Sequence, residues 1–142
     1  LVGGPIRFET LPLNATYPNW RGILPTEFGP TCTVHLDAFR QAIRLASAGL
    51  TDRLLSVVCT LTRDQLTLSS HGDSDGSNVT HMPATWTGDN LTLRFNPHYL
   101  LEALTIMDGP NLTLDLRGPL APIFGQSDGM PGFRYVLMPM AL

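Results

Sequence analysis

Few residues in this chain combine the types and spacing that chemistry needs. His35-x-Asp37 and His71-x-Asp73-x-Asp75 set imidazoles beside carboxylates, the donors that a divalent metal or a general base would use. Asp73 and Asp75, however, fall in the Gly/Ser-rich stretch His71–Ser77, where a solvated turn is the better reading. A calcium loop of the EF-hand kind also requires a glutamate at its far end, and none follows. The sequence carries no GxSxG, HExxH, P-loop or GxGxxG arrangement. Cys32 and Cys59 lie in strand-like runs without metal spacing; they read as buried free thiols, with a disulfide as the alternative. The expectation is a non-enzyme with no catalytic residue, no metal and no cofactor.

Charge narrows the classes further. The net charge is −3, which argues against a domain that grips nucleic acid unaided. All nine basic residues are arginines, and only Arg40 and Arg44 stand one helical turn apart. No apolar run approaches the roughly 18 residues that a membrane-spanning helix needs. The opening Leu1-Val2-Gly3-Gly4 shows no signal-peptide pattern and reads as a cut from something longer. Asn-x-Thr triplets at Asn14, Asn78, Asn90 and Asn111 are explained by turn-favouring Asn meeting strand-favouring Thr.

The elements that must position these residues follow from periodicity. Pro5–Leu13 predicts one strand, and Tyr17–Pro25 an extended connector bounded by prolines. Thr31–His35 alternates as a strand. Within Asp37–Ala48, Phe39, Ala42, Ile43 and Ala46 recur at helical spacing, with Arg40 and Arg44 off that stripe. Leu54–Thr62, Gln65–Ser69 and Asn78–Thr87 predict three strands, and Gly88-Asp89-Asn90 a hairpin turn. Leu91–Phe95 then begins the order again. Asn96 is a plausible N-cap and Pro97 suits the first helical position, while Asp108-Gly109-Pro110 ends the helix. Strands at Asn111–Leu116, Ala121–Gly125 and Phe133–Met140 complete it. The chain thus reads as strand–helix–three strands twice over. The expected fold class is α+β: two βαβββ units side by side, forming antiparallel sheets with two helices on one side.

Three motifs in this order carry a family resemblance. Tyr17-Pro18-Asn19-Trp20-Arg21-Gly22-Ile23-Leu24-Pro25 resembles the connector between the second and third domains of bacterial sliding clamps, the DNA polymerase III β subunits. Phe95-Asn96-Pro97-His98-Tyr99-Leu100-Leu101-Glu102-Ala103-Leu104 resembles the start of a helix in the third domain, and Tyr135-Val136-Leu137-Met138-Pro139-Met140-Ala141-Leu142 its carboxyl end. The resemblance implies a last strand of a preceding domain plus connector at residues 1–25 and a clamp C-terminal domain at 26–142. It also implies a cytoplasmic, nucleoid-associated bacterial protein whose pocket receives linear-motif peptides of polymerase, clamp-loader or repair proteins. Carried over position by position, that pocket comprises Pro18, Ile23, Asn96, Tyr99, Ile123, Val136, Met138, Pro139 and Met140. Apolar sockets suit Leu- or Phe-bearing peptides, and methionines adapt to varied ligands. Arg40, Arg44 and His98 would face duplex DNA, giving weak, sequence-independent attraction to phosphates.

The chain departs from the family at three places. Gly22 and Ala141 stand where clamps usually carry arginine, which removes charge that could steer acidic peptides. Ala46-Ser47-Ala48-Gly49-Leu50 offers little apolar area for closing a ring or other homo-oligomer, leaving Leu50, Leu54 or an edge strand to compensate. These departures also suit an alternative, the clamp-like C-terminal domain of a MerR-type helix-turn-helix transcriptional regulator that forms no ring.

Overall fold

A computed structural model describes residues 2–4, 6–7, 9–12, 14–50, 56–71 and 76–142. Leu54 and Leu55, expected to begin a strand, and Asp73 and Asp75 of the imagined metal set lie outside the described residues. At the start, β1 (Val2–Gly3) and β2 (Ile6–Arg7) pair as a short antiparallel hairpin, where one strand over Pro5–Leu13 was expected. The connector is not wholly extended either. A 3-10 turn at Trp20–Gly22 closes with Trp20 N–H donating to the Pro18 carbonyl at 2.8 Å and Ile23 N–H to that of Trp20 at 3.1 Å.

The first unit runs β3 (Thr31–His35), α1 (Leu36–Ala46), β4 (Val57–Thr62), β5 (Gln65–His71), β6 (Ser77–Pro83) and β7 (Thr85–Trp86). The second runs β8 (Leu91–Phe95), α2 (Pro97–Ile106), β9 (Asn111–Leu116), β10 (Ile123–Ser127) and β11 (Tyr135–Leu137), with Met140 bridged to Arg94. All their pairings are antiparallel. The five-stranded sheet has the order β11-β10-β9-β3-β7 and the four-stranded sheet β6-β5-β4-β8. The expected α+β class, two sheets and two helices, is what the chain adopts.

The units are not simply side by side, because each lends its first strand to the other. β3 pairs with β9 of the second unit, and β8 pairs with β4 of the first. The burial pattern shows why this works. Cys32, Val34, Phe39, Ala42, Ile43 and Ala46 are buried, and so are their counterparts Leu93, Phe95, Leu100, Ala103, Leu104 and Met107. Positions recur while most side chains differ, Ala42 and Ala103 being alike, and one apolar interior is assembled from both halves. A fully buried Phe39 or Leu104 contributes roughly 1.5–3 kcal/mol over leaving it exposed.

Helix α1 forms because Leu36, Phe39, Ala42, Ile43 and Ala46 line one face, with Asp37 in the first turn and Arg44 in the last complementing its dipole. In α2 the Asn96 side chain accepts a hydrogen bond from the His98 N–H at 2.9 Å, and Pro97 occupies the first helical position. Gly109, at φ 103°, ends that segment. A Cβ there would lie 2.4 Å from the Gly129 nitrogen, so only glycine lets the two loops meet.

Candidate functional site

The connector reaches the domain through a buried carboxylate. On β9, Leu112, Leu114 and Leu116 point into the core, so Asp115 should face solvent, yet it is fully buried. Residues 27–30, which follow the connector, cover it. Asp115 accepts from Arg117 Nε at 3.2 Å and Nη2 at 3.1 Å and from the Gly29 N–H at 3.2 Å. Arg117 also donates to the Glu27 carbonyl, and Leu116 N–H donates to that of Pro30 at 3.0 Å. The hydrogen bond to Asp115 pushes the Arg117 guanidinium pKa up. A buried charge needs this degree of pairing to be tolerated. Asp115 was not singled out from sequence; its signal is an Asp-x-Arg pair ending an otherwise regular strand.

With the connector pinned, its apolar residues form one wall of a groove of about 590 Å³. Trp20, Ile23 and Leu24 face Pro131, Arg134 and Val136 across it. Trp20 is held by Arg21, whose guanidinium carbon lies 4.4 Å from the ring centroid. Of the residues carried over by resemblance, Ile23 and Val136 meet here. Trp20, Leu24, Pro131 and Arg134 are additions.

The other carried-over residues fall into three groups. Tyr99, Met138 and Met140 are exposed, at 54%, 59% and 42%, and Pro139 is half-buried. None of these four lines the groove, but hydrogen bonds fix the elements that carry them: the Tyr135 hydroxyl on β11 donates to the Tyr99 carbonyl at 2.8 Å, and Met140 N–H donates to the Arg94 carbonyl at 2.7 Å. Burial and then Glu102 push the Tyr135 phenol pKa up, keeping it a donor. Pro18 is exposed and starts the 3-10 turn, and Asn96 is half-buried as the cap of α2. Ile123 requires correction. It is 3% exposed, paired with Leu116 and Leu137 in the core, because its neighbours on both sides are strands. It supports the surface from beneath.

The residues expected to face DNA also divide. Arg40 is engaged within the protein: Nε donates to the Leu104 carbonyl at 2.8 Å, and its other nitrogens to the Met107 carbonyl and Asp37. It ties α1 to the carboxyl end of α2, where unpaired carbonyls attract a cation. Arg44 is exposed, and His98 is exposed with Nε2 3.3 Å from Glu102 Oε1. Among the described residues no group of three or more His, Cys, Asp or Glu is placed to hold a metal. Cys32 and Cys59 are both free and buried; burial pushes the Cys32 thiol up to about 12 and raises that of Cys59 as well. Among the described residues no helix is long and apolar enough to cross a membrane.

A family model described as DNA polymerase III beta subunit, C-terminal domain, matches residues 21–141. The beta sliding clamp of Streptomyces coelicolor is 24% identical, covering 99% of this chain and 39% of that protein. A beta sliding clamp homolog, GriR, of Streptomyces muensis is 28% identical over 90% of this chain and 36% of its own length. Among solved structures, a sliding clamp (DNA polymerase III subunit beta) from Bartonella birtlesii, bound to griselimycin, superimposes with a TM-score of 0.85. It is 26% identical over 91% of this chain and 35% of that one. The chain therefore spans little more than a third of these relatives. None of the three is a MerR-type regulator, and that alternative gains no support from them.

Proposed function

This chain belongs to the family formed by the C-terminal domain of the DNA polymerase III beta subunit, and we propose that it serves its parent as a docking domain. Its ligands are linear-motif peptides of polymerase, clamp-loader or repair proteins, and its role is non-catalytic. The carrying observation is the surface where the chain leaves β11. The connector's Trp20 and Ile23 line a largely apolar groove with Val136 while staying exposed, and Met138, Met140 and Tyr99 are large side chains left exposed at the strand end and helix start of the same unit. The griselimycin-bound relative supports reading this family as one that accepts ligands.

In the parent protein, which we place in the bacterial cytoplasm with the nucleoid, residues 1–25 would end a preceding domain. Arg44 and His98 would face duplex DNA, with Arg40 acting as a helix clamp instead. So few cationic groups on a chain of net charge −3 suit weak, sliding contact rather than tight binding. For self-association the open edge of β6, which carries exposed Val79, is a better surface than the small residues after α1.

The test uses the Met138→Ala, Met140→Ala double variant of the full-length protein. Its affinity for a Leu/Phe-containing peptide should fall by about 2–4 kcal/mol. Unchanged affinity in a folded variant refutes the assigned site.

A further inference from the structure

We propose that Arg134 is the residue by which this groove selects its partner, and that the partner segment is acidic. The inference rests on the docking reading above and names the chemistry of the occupant: a short extended peptide with a carboxylate next to its Leu or Phe anchors.

The groove pairs Trp20, Ile23, Leu24, Pro131 and Val136 with one charged side chain, Arg134, and no acidic side chain lines it. Arg134 is exposed, and among the described residues its guanidinium makes no ion pair and no hydrogen bond. Arg117 is engaged with Asp115, Arg40 with α2 and Arg21 over Trp20, while Arg94, bridged to Met140, keeps its Nε buried without a partner and does not line the groove. Arg134 is thus the one cation that lines the groove and is open to an incoming ligand.

A guanidinium cannot lose its charge by deprotonation, and it presents a planar fork matched to a carboxylate. An apolar segment filling the groove strips water from Arg134. A segment that also brings an Asp or Glu returns two charge-assisted hydrogen bonds in that drier setting. An uncharged or basic segment leaves the cation poorly solvated and unpaired, which is costly. The overall charge of −3 works against acidic ligands at long range, so any preference for them must arise locally. A lone arginine between apolar walls suits one carboxylate on a peptide better than a run of phosphates, which needs several cations.

The experiment measures fluorescence polarisation with the full-length protein and two fluorescein-labelled peptides, Gly-Ser-Leu-Asp-Leu-Phe and its Asn-for-Asp counterpart. The wild type should prefer the Asp peptide by about three- to tenfold. In Arg134→Gln the ratio should collapse toward one, and Arg134→Lys should keep part of it, since charge survives while the fork is lost. Arg134 is exposed, so a thermal melt should show both variants folded. Equal binding of the two peptides by the wild type, or an undiminished preference in Arg134→Gln, overturns the assignment while leaving the docking reading standing. Binding of neither peptide removes both.

Discussion

At Ala84 the chain passes from the four-stranded sheet to the five-stranded one, and at Met138–Pro139 it makes the reverse passage. The two corners are counterparts. Thr85 pairs with Thr33 on β3, and Met140 bridges Arg94, the matching position on β8. At the internal corner Met82, Ala84 and Trp86 are buried at 7%, 8% and 5%, and Trp86 Nε1 donates to the Asp89 carbonyl at 2.7 Å. Only Pro83 and Thr85 face outward there. At the terminal corner the equivalent outward positions hold Met138 and Met140. One topology is therefore closed by a small residue and a tryptophan in one place and left apolar and open in the other. The closed version shows that the fold can make this corner without exposed methionines, which is what the docking proposal requires of Met138 and Met140.

This comparison can be broken by stability measurements. Trp86→Ala should cost about 3–5 kcal/mol in denaturant unfolding, since it empties a packed and hydrogen-bonded site. Met138→Ala or Met140→Ala should each cost under about 1 kcal/mol, as expected for side chains not in the core. Equal costs at both corners would mean that the methionines are structural.

The thiol beneath the closed corner sharpens the contrast. Cys32 pairs with Trp86, and burial raises its pKa from 9.0 to about 12; that of Cys59 is raised for the same reason. A thiol held protonated in the folded state favours folding fully below its unfolded pKa, and that contribution is lost as pH climbs from about 9 toward 12. Unfolding free energy should fall by roughly 1.4 kcal/mol per pH unit per thiol across that window. Cys32→Ala should flatten the slope. A slope unchanged by that substitution would show that the corner is open to water.

Much of the fold was legible because periodicity reports burial. The strands β3, β8 and β9 and both helices emerge from alternation, helical stripes and the Asn96-Pro97 start, with ends within a residue or two. The repeat was legible as element order. The exchange of first strands was not, because register between distant strands depends on both partners and no single segment encodes it. The predicted strand Asn78–Thr87 divides at Ala84 for the same reason: changing sheets is a tertiary event. Of the site, the resemblance supplied Tyr99, Val136, Met138 and Met140 on an accessible surface but placed Ile123 there too, since an apolar residue in a strand does not declare which face is covered. Asp115 escaped notice because residues 27–30 are laid against it only in the folded chain, and Arg134 because its place opposite Trp20 and Ile23 is equally a tertiary one.

The central claim is that the terminal corner, not the closed one, receives ligand, and methionine methyl resonances test it directly. The chain has five methionines, of which Met82 and Met107 are buried and Met138 and Met140 exposed. Titrating the full-length protein with the peptide Gly-Ser-Leu-Asp-Leu-Phe should shift the methyls of Met138 and Met140 and leave those of Met82 and Met107 in place. Shifts confined to Met82 and Met107, or saturating binding with all five methyls unmoved, would contradict the account.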